Sequence, residues 1–436
     1  MKKLVLIVFY SLFIIPAFAQ TDALKAIAAK KAESLQSKLI ALRRDFHEHP
    51  ELGNREVRTA AIIAKHLESL GIQVTTGIAT TGVVGVLKGD KPGPVVALRS
   101  DMDGLPVTEL EGLPFASKVK TTYNGKEAGT MHACGHDSHM AILMTVAEVL
   151  SSMKKDLQGT VKFIFQPAEE GAPVGEKGGA DEMVKQGVLL NPKVDAVFGL
   201  HIWSNLEAGK IGYRPGGIMA GASDMKIVVT GKTAHGAYPW QSVDPIVVSA
   251  QIISSLQSIV SRNINVTQNP AVVTIGAING GTRFNIIPDK VEMIGTLRYF
   301  TDGDEKIVTE NTRRIATKVA EAYGATAEVT APYTTRYPVT YNDLALTAKM
   351  LPTLQATAGT KNVVLQAAVT GAEDFSFYEE KVPGIFFFLG GMPKGNDPLK
   401  APPHHTPAFY IDESGFMLGV KALCNLTLDY MAGKGK

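Results

Sequence analysis

The sequence predicts an α/β fold, a sheet covered by helices on both faces, with a smaller α+β domain inserted into it. Three observations carry this. Short β-rich runs alternate with helical segments up to about residue 200. A β-α-β-β-α-β order follows between Met225 and Ala331. Helical segments and one strongly apolar run, Ile385 to Leu389, then close the chain.

The first nineteen residues read as a targeting segment, apart from the fold. Lys2 and Lys3 precede the apolar run Leu4 to Ile15, and Ala17-Phe18-Ala19 forms a small-residue cleavage site before Gln20. That run is shorter than the roughly 20 residues of a membrane span, and no later segment reads as one. No cysteine follows the cleavage site, so a lipid anchor is not expected. The mature protein is expected to be exported, to a bacterial periplasm or outside the cell.

Residues 24–71 read as helices, with Ala60, Ile63, Ala64 and Leu67 at helical spacing and Gly71 as a stop. Val83 to Leu87, Val95 to Leu98, Val161 to Phe165 and Ala196 to Leu200 read as strands. Ala141 to Leu150 reads as a buried helix and Ala180 to Gln186 as a short one. In the insert, Met225 to Thr230, Val272 to Ile278, Val291 to Tyr299 and Ala327 to Ala331 read as strands. Its helices are Pro245 to Arg262, with Asp244 as N-cap, and Asp304 to Tyr323. Leu344 to Met431 returns to the larger domain. The expected division is therefore 1–19 targeting segment, 24–219 and 332–436 larger domain, 220–331 insert.

With 436 residues and 45 % hydrophobic composition, the chain can bury a large core over about two or three domains. Removing residues 1–19 takes away two lysines and no acids, leaving 42 basic and 42 acidic side chains. That balance, without long charge blocks, argues against nucleic acid as a partner. The two cysteines, Cys134 and Cys424, stand far apart. In an exported protein they could pair. Cys134 lies among ligand-type residues, however, and Cys424 in the apolar helical stretch Met417 to Met431, which favours a metal-site role for the first and a core role for the second.

The run Met131-His132-Ala133-Cys134-Gly135-His136-Asp137 packs a thiol, two imidazoles and a carboxylate into seven residues. Packing alone does not ask for that mixture, because each buried polar group needs a partner. Borderline metals such as zinc do ask for it. In α/β sheets functional groups gather beyond the carboxyl ends of strands. There this chain places Arg99-Ser100-Asp101-Met102-Asp103, Gln166-Pro167-Ala168-Glu169-Glu170, His201 and, further on, His404-His405-Thr406-Pro407. Singly, each has a plain structural reading: a solvated acidic pair, a hydrogen-bonded histidine, a turn cap. Together they supply the five or six donors of two divalent ions about 3.5–4 Å apart.

These motifs, with Gly199-Leu200-His201, resemble those of the co-catalytic binuclear metallopeptidases. They most resemble the amidohydrolase branch, which holds N-acyl-L-amino acid amidohydrolases, hippurate hydrolase and auxin-conjugate hydrolases. The resemblance runs from about Leu39 to about Tyr430. It implies a phosphorylase/hydrolase-like α/β catalytic domain with a ferredoxin-like lid and dimerisation insert. It also implies two divalent metal ions, zinc or manganese ahead of cobalt or nickel. Carried over residue by residue, it implies Cys134, His136, Glu170, His201 and His405 as metal ligands, with Cys134 as the bridge. Glu169 would be the general base and Asp103 a carboxylate that orients a ligand. In the insert, His235 would polarise the scissile carbonyl, and Asn285 and Arg298 would hold a substrate carboxylate, which suits an arginine's planar fork. Spacing alone decides neither between Glu169 and Glu170 nor between His404 and His405, and His132 gains no role.

The expected reaction is metal-dependent hydrolysis of the amide bond of N-acyl amino acids. The alternative within the same chemistry is a carboxypeptidase or dipeptidase acting on short peptides. The resemblance also implies a homodimer through the insert. A binding protein that kept the fold without catalysis would have lost Glu169 or a ligand, and all are present. The glycine-rich loop from Gly171 to Gly179 borders the expected site and bears on which acyl group is accepted.

Overall fold

The computed structural model describes residues 5–433, with side chains from residue 20 onward. The expected targeting segment, residues 1–19, lies outside the residues whose side chains are described. Among the described residues no helix is long and apolar enough to cross a membrane. The chain divides into two compact units: one holds the chain up to Gly216 with Tyr341–Gln366 and Phe377–Lys436, the other Gly217–Thr340 with Ala367–Ser376. The second unit is thus wider than residues 220–331, and a separate ten-residue stretch clusters with it.

The first unit is built on an eight-stranded sheet. Its strands lie in the order Gln73–Ile78, Gly82–Lys88, Gln158–Gln166, Lys91–Asp101, Ala196–Glu207, Gly384–Met392, Ile211–Tyr213, Val363–Leu365. The central four run parallel, so their carboxyl ends share one edge. Strands buried on both faces read as continuous apolar runs rather than alternating ones. Ile385 to Leu389 shows this, since all five residues are fully buried. Each such side chain contributes roughly 1.5–3 kcal/mol through burial. Lys162 breaks the pattern in its strand, and its Nζ donates to the carbonyls of Val188, Leu190 and Pro192 at 2.7–3.0 Å.

Helices Val5–Ser34, Gln36–Glu48 and Val57–Ser69 fill the stretch expected to be helical. The helix His136–Ser152 is buried over almost its whole length and packs on the parallel strands. Phe416–Met431 packs against it and holds Cys424 in the core. Both cysteines are free thiols, so the disulfide alternative is not what the fold uses.

A small hairpin, Lys120–Tyr123 with Lys126–Gly129, has no counterpart among the expected strands. It is too polar to alternate visibly, yet its turn is Asn124-Gly125, both at positive φ (49° and 75°). Two successive left-handed residues make the tight turn whose twist matches a hairpin.

The second unit is a four-stranded antiparallel sheet in the order Val272–Gly280, Lys290–Tyr299, Gly221–Thr230, Thr326–Thr330, extended by a short pairing to Arg336–Tyr337. Helices Pro245–Asn263 and Asp302–Ala322 pack on it, which is the expected split-βαβ arrangement. Asp244 caps the first helix by accepting from the amides of Ile246 and Val247. Thr301 caps the second by accepting from Asp304 N, which starts that helix two residues before Asp304.

Candidate metal centre

Three of the four parallel strands deliver the centre's polar groups. Lys91–Asp101 ends at Asp101 and runs on into Asp103, Gln158–Gln166 leads into Glu169 and Glu170, and Ala196–Glu207 carries His201. The remaining groups come from the loop holding Cys134, the start of the helix that follows it, and the segment at His404 and His405. Gly135 stands between Cys134 and His136 at φ +94°, and a Cβ there would lie 2.3 Å from Ile202 Cγ2. Only glycine lets the chain turn so closely over the strand and aim both neighbours inward.

Cys134 Sγ lies 3.3 Å from His201 Nε2 and 3.3 Å from His405 Nε2. His405 Nε2 is 2.9 Å from Glu170 Oε1. His136 Nε2 lies 3.9 Å from Glu169 Oε2 and 4.0 Å from Glu170 Oε1, and makes no hydrogen bond although fully buried. The donor atoms form overlapping sets within 4.8 Å: Cys134, His136 and His201; Cys134, Glu170 and His405; His136, Glu169 and Glu170. All five expected ligands and Glu169 are therefore in one place. Cys134 belongs to two sets, so the residues can hold two cations that share its sulfur.

The surroundings fix which ring atom each histidine offers. His136 Nδ1 donates to the Asp103 carbonyl at 2.8 Å, and His201 Nδ1 donates to the Ile202 carbonyl at 2.6 Å. Both rings thereby turn Nε2 toward the cluster, as ligating histidines do when the other nitrogen is held. Asp103 also accepts from Glu169 N at 3.1 Å and Glu170 N at 3.0 Å, one bond on each oxygen. Asp103 thus holds the two glutamates through its carboxylate and His136 through its carbonyl.

The electrostatics call for positive charge. Burial, then Glu170, Glu169 and Asp101, push the Cys134 thiol well above its ordinary value. Burial would lower His136, but Asp101, Asp103 and Glu170 outweigh it and push it up to about 10. Burial together with His139 and His404 holds His201 well below its usual value, in the neutral form that binds metal. Asp101 and Glu170 push both groups up, so the field at the donor atoms is negative and suits a divalent cation. A divalent ion would reverse the effect on Cys134, because coordination deprotonates a thiol outright. The donor set and this field both fit metal.

Two strained residues stand here. His405 has φ +63° and Ala168, just before Glu169, has φ +51°. Non-glycine residues in that region cost of order 1–3 kcal/mol and persist where neighbours over-determine them. His405 is held by its own N–H donating to Ala133 O at 2.9 Å, and Ala168 N by donating to Glu56 Oε1 at 2.9 Å.

Sequence reasoning missed the layer behind the ligands. Asp101 accepts from Arg99 Nη1 at 2.8 Å and from His139 Nδ1 at 2.7 Å, while His139 Nε2 accepts from Ile202 N at 2.8 Å. The chain of bonds runs from a buried guanidinium to the backbone next to His201. Burial would raise Asp101, yet His136, His139 and Arg99 hold it well below the usual carboxylate range. The available signal was His139 itself, one helical turn after His136. His404 belongs to the same layer: its Nε2 accepts from Ser204 N at 3.1 Å and its ring lies 4.9 Å from that of Trp203. His132 is fully buried, neither ring nitrogen has a protein partner, and burial pushes it down to about 4.

The second unit carries the other expected residues. His235 and Asn285 come together, because Ala234–His235 pairs with Ile286–Ile287 and Gly236 N donates to Asn285 O at 2.9 Å. His235 is exposed, and its Nδ1 accepts from Ala237 N at 3.0 Å, leaving Nε2–H free to donate. Arg298 sits on the strand Lys290–Tyr299, level with Ala222 and Val272, and donates to the Thr296 hydroxyl and the Leu297 carbonyl.

Comparison with known proteins agrees with this arrangement. Residues 97–429 match the model of "Peptidase family M20/M25/M40". The N-acetylcysteine deacetylase of Bacillus subtilis is 40 % identical over 398 residues, 91 % of this chain and 97 % of that one. The thermostable carboxypeptidase 2 of Saccharolobus solfataricus is 40 % identical over 399 residues, 91 % of this chain and 96 % of its own. A crystal structure of a Bacillus subtilis dinuclear metal-binding peptidase superposes with a TM-score of 0.76 at 37 % identity, covering 92 % of this chain and 99 % of that one. With a thiol, three imidazoles and two carboxylates gathered at one sheet edge, and likeness along nearly the whole chain, this protein belongs to peptidase family M20/M25/M40 and is a metal-dependent hydrolase.

Proposed function

We propose that this protein hydrolyses the amide bond of N-acyl amino acids, releasing a carboxylic acid and a free amino acid. The observation that carries the reading is Glu169: a buried carboxylate beside the ligand set, its backbone fixed by Asp103, and not needed to complete either cation set around Cys134. A closed structural metal site has no use for such a group.

Cys134, His136, Glu170, His201 and His405 would hold two divalent ions, zinc or manganese ahead of cobalt or nickel. Bound there, such ions supply Lewis acidity that brings the pKa of a water toward about 7 and polarises a carbonyl. Glu169 accepts the proton of the attacking water and returns it to the leaving amine. His235, whose Nε2–H is left free by the Ala237 bond, donates to the oxygen that gains charge. Arg298 and Asn285 receive the substrate's carboxylate. Asp103 keeps Glu169 and His136 oriented through its bonds to both.

The amidohydrolase reading draws on the deacetylase relative, and the carboxypeptidase relative supports the second reading, cleavage of short peptides with the same residues. Steady-state assays on acetyl, benzoyl and indole-acetyl amino acids alongside dipeptides separate the two. Turnover of dipeptides alone overturns the first. Glu169→Ala should keep its metal content and lose nearly all turnover; retained turnover overturns the assignment of the base.

Two further parts of the reading concern the whole molecule. The segment from Lys2 to Ala19 supports export to a periplasm or beyond, which N-terminal sequencing of the native protein at Gln20 tests. Homodimerisation through the second unit is supported by its edge strand Val272–Gly280 and by exposed Ile278 and Ile294 on that sheet. Sedimentation of wild type against Ile278→Lys tests it.

A further inference from the structure

The turn that carries Glu169 is pinned from two sides. Three consecutive amides, those of Ala168, Glu169 and Glu170, each donate to a carboxylate. Asp103 takes the second and third. Ala168 N goes to Glu56 Oε1 at 2.9 Å, and Glu56 Oε2 accepts from the Thr81 hydroxyl. Glu56 itself is fully buried.

Its place in the chain suggests a different use. Glu56 stands at the N-cap of the helix Val57–Ser69, where a side-chain oxygen ordinarily accepts from the first turn's amides. The Glu56 side chain makes no such bond. Glu51 takes that role instead, accepting from Arg58 N at 3.0 Å and Thr59 N at 2.8 Å, one on each oxygen. The helix thus starts without the Glu56 carboxylate, which turns to an amide 112 residues away. Placing it there is costly: burial, then the nearby Asp103, push the Glu56 carboxyl up to about 7. Charged or protonated, it still accepts from Ala168 N, so the tether does not depend on its charge.

What the tether fixes follows from backbone geometry. The Ala168 N–H belongs to the peptide plane before Ala168, and the Glu169 N–H to the plane after it. With one plane held by Glu56 and the next by Asp103, the two torsions of Ala168 between them are set. They are set in the left-handed region, at φ +51°, which alanine rarely adopts unaided. The Ala168 Cβ has room there because Gly53 and Gly178 face it: a Cβ on either would lie 3.1 Å from it. Released at its amide, Ala168 would relax toward negative φ and swing Glu169 away.

We infer that Glu56 is a positioning residue for the general base: its carboxylate pins the Ala168 amide and so holds the left-handed turn that aims Glu169 at the ligand set. The inference rests on Glu169 being the base, as proposed above, and not on which amide is cleaved. Glu170 stands outside this tether, because its amide goes to Asp103 and its carboxylate faces His405. Metal binding and placement of the base are therefore separable.

The test sets reach against charge, in metal-loaded full-length mature protein, on whichever amide substrate wild type cleaves fastest. Glu56→Asp keeps the charge and loses one methylene, so its carboxylate retreats from Ala168 N. An aspartate at an N-cap can turn to its own helix, which guards folding. Glu56→Gln keeps the reach, accepting from Ala168 N through its amide oxygen and donating to Thr81 Oγ1 through its nitrogen. Glu56→Asp should lower kcat about tenfold to a hundredfold, the scale on which a misplaced catalytic group acts, with KM and metal content as in wild type. Glu56→Gln should keep kcat close to wild type. Glu51→Ala, which uncaps the same helix, should lower the melting temperature and leave kcat as it is.

Wild-type kcat in Glu56→Asp overturns the inference. So does a Glu56→Gln that falls as far as Glu56→Asp, because charge and not reach would then matter. An equal fall in Glu51→Ala overturns it too, since a loosened helix would explain both. Metal lost along with kcat in Glu56→Asp has the same force, because the tether would then be holding Glu170. If Glu169→Ala retains turnover, the base assignment itself has failed, and that is read without any Glu56 variant.

Discussion

The two units hold their polar residues in opposite ways. In the first, Cys134, His136, His201 and Glu169 are buried, and each histidine ring is turned by a bond on its far nitrogen. In the second, His235 is exposed, Asn285 stands beside the short pairing of Ala234–His235 with Ile286–Ile287, and the bonds that hold them are mostly backbone ones. Parallel strands buried on both faces bring distant sequence to one edge and leave no freedom there. A small antiparallel sheet with one face covered presents groups that can still adjust. Under the proposed function the first unit serves bond cleavage and the second recognition, and that division can be attacked from either side.

The largest effect should come from removing what the first unit's cage is built to hold. Dialysis against a chelator should abolish turnover, and the apparent stability of the first unit should fall with it. A ligand at about 100 times its Kd stabilises by roughly 2.7 kcal/mol, so two tightly held ions give at least that much. Calorimetry with and without metal reads the difference. A melting transition that ignores the chelator would break the claim that this unit's polar core is organised for cations.

A step down in size, the layer behind the ligands should matter without touching substrate. His139→Ala removes both the bond to Asp101 and the acceptor for Ile202 N. Loss of such a partner typically costs 10- to 100-fold in metal affinity or activity. Metal titration and kcat should move together. A fall in kcat with metal affinity unchanged would mean that His139 acts otherwise than by positioning His201.

This layer is also where the sequence was hardest to read. The ligand residue types stood out because apolar strands ran straight into them, as Val161 to Phe165 runs toward Glu169 and Glu170. Asp101 stood in such a run too, but its bond to His139 joins residues 38 apart, and nothing in local pattern announces it. The same holds for Arg99 and Gln166, joined across adjacent strands 67 residues apart. The hairpin at Lys120–Gly129 was hidden for a different reason. Its strands are polar and four residues long, so only Asn124-Gly125 marked it. The stretch Ala367–Ser376 joins the second unit by tertiary contact alone, which no composition shift could signal.

From the other side of the comparison, Arg298→Ala should act on recognition. A charged hydrogen bond of about 1.5–3 kcal/mol corresponds to a rise in KM of roughly ten- to a hundredfold, with kcat moving far less. Competition by free amino acid should weaken by the same factor. A variant that lowers kcat and keeps KM would move Arg298 from recognition into the chemistry and erase the division of labour between the units.

The smallest effect lies in the first unit's outer support and is read in stability alone. His47 is buried between Asp137, 2.7 Å from its Nδ1, and Glu109, 3.0 Å from its Nε2. Burial would lower its pKa, but Asp137 and Glu109 outweigh burial and Arg43 and raise it above the ordinary histidine value. A histidine that binds its proton more tightly folded than unfolded stabilises the fold below its unfolded pKa, about 6.5, and loses that contribution as pH rises through the folded value. His47→Gln should therefore melt lower than wild type at pH 5.5, by a few degrees for about 1 kcal/mol. The gap should close as the pH is raised. Asp137 keeps Arg43 at 2.9 Å in the variant, so its carboxylate is not left unpaired and the loss stays small. A gap that widens with pH would mean that His47 is held neutral in the fold, with Asp137 balanced by Arg43 alone.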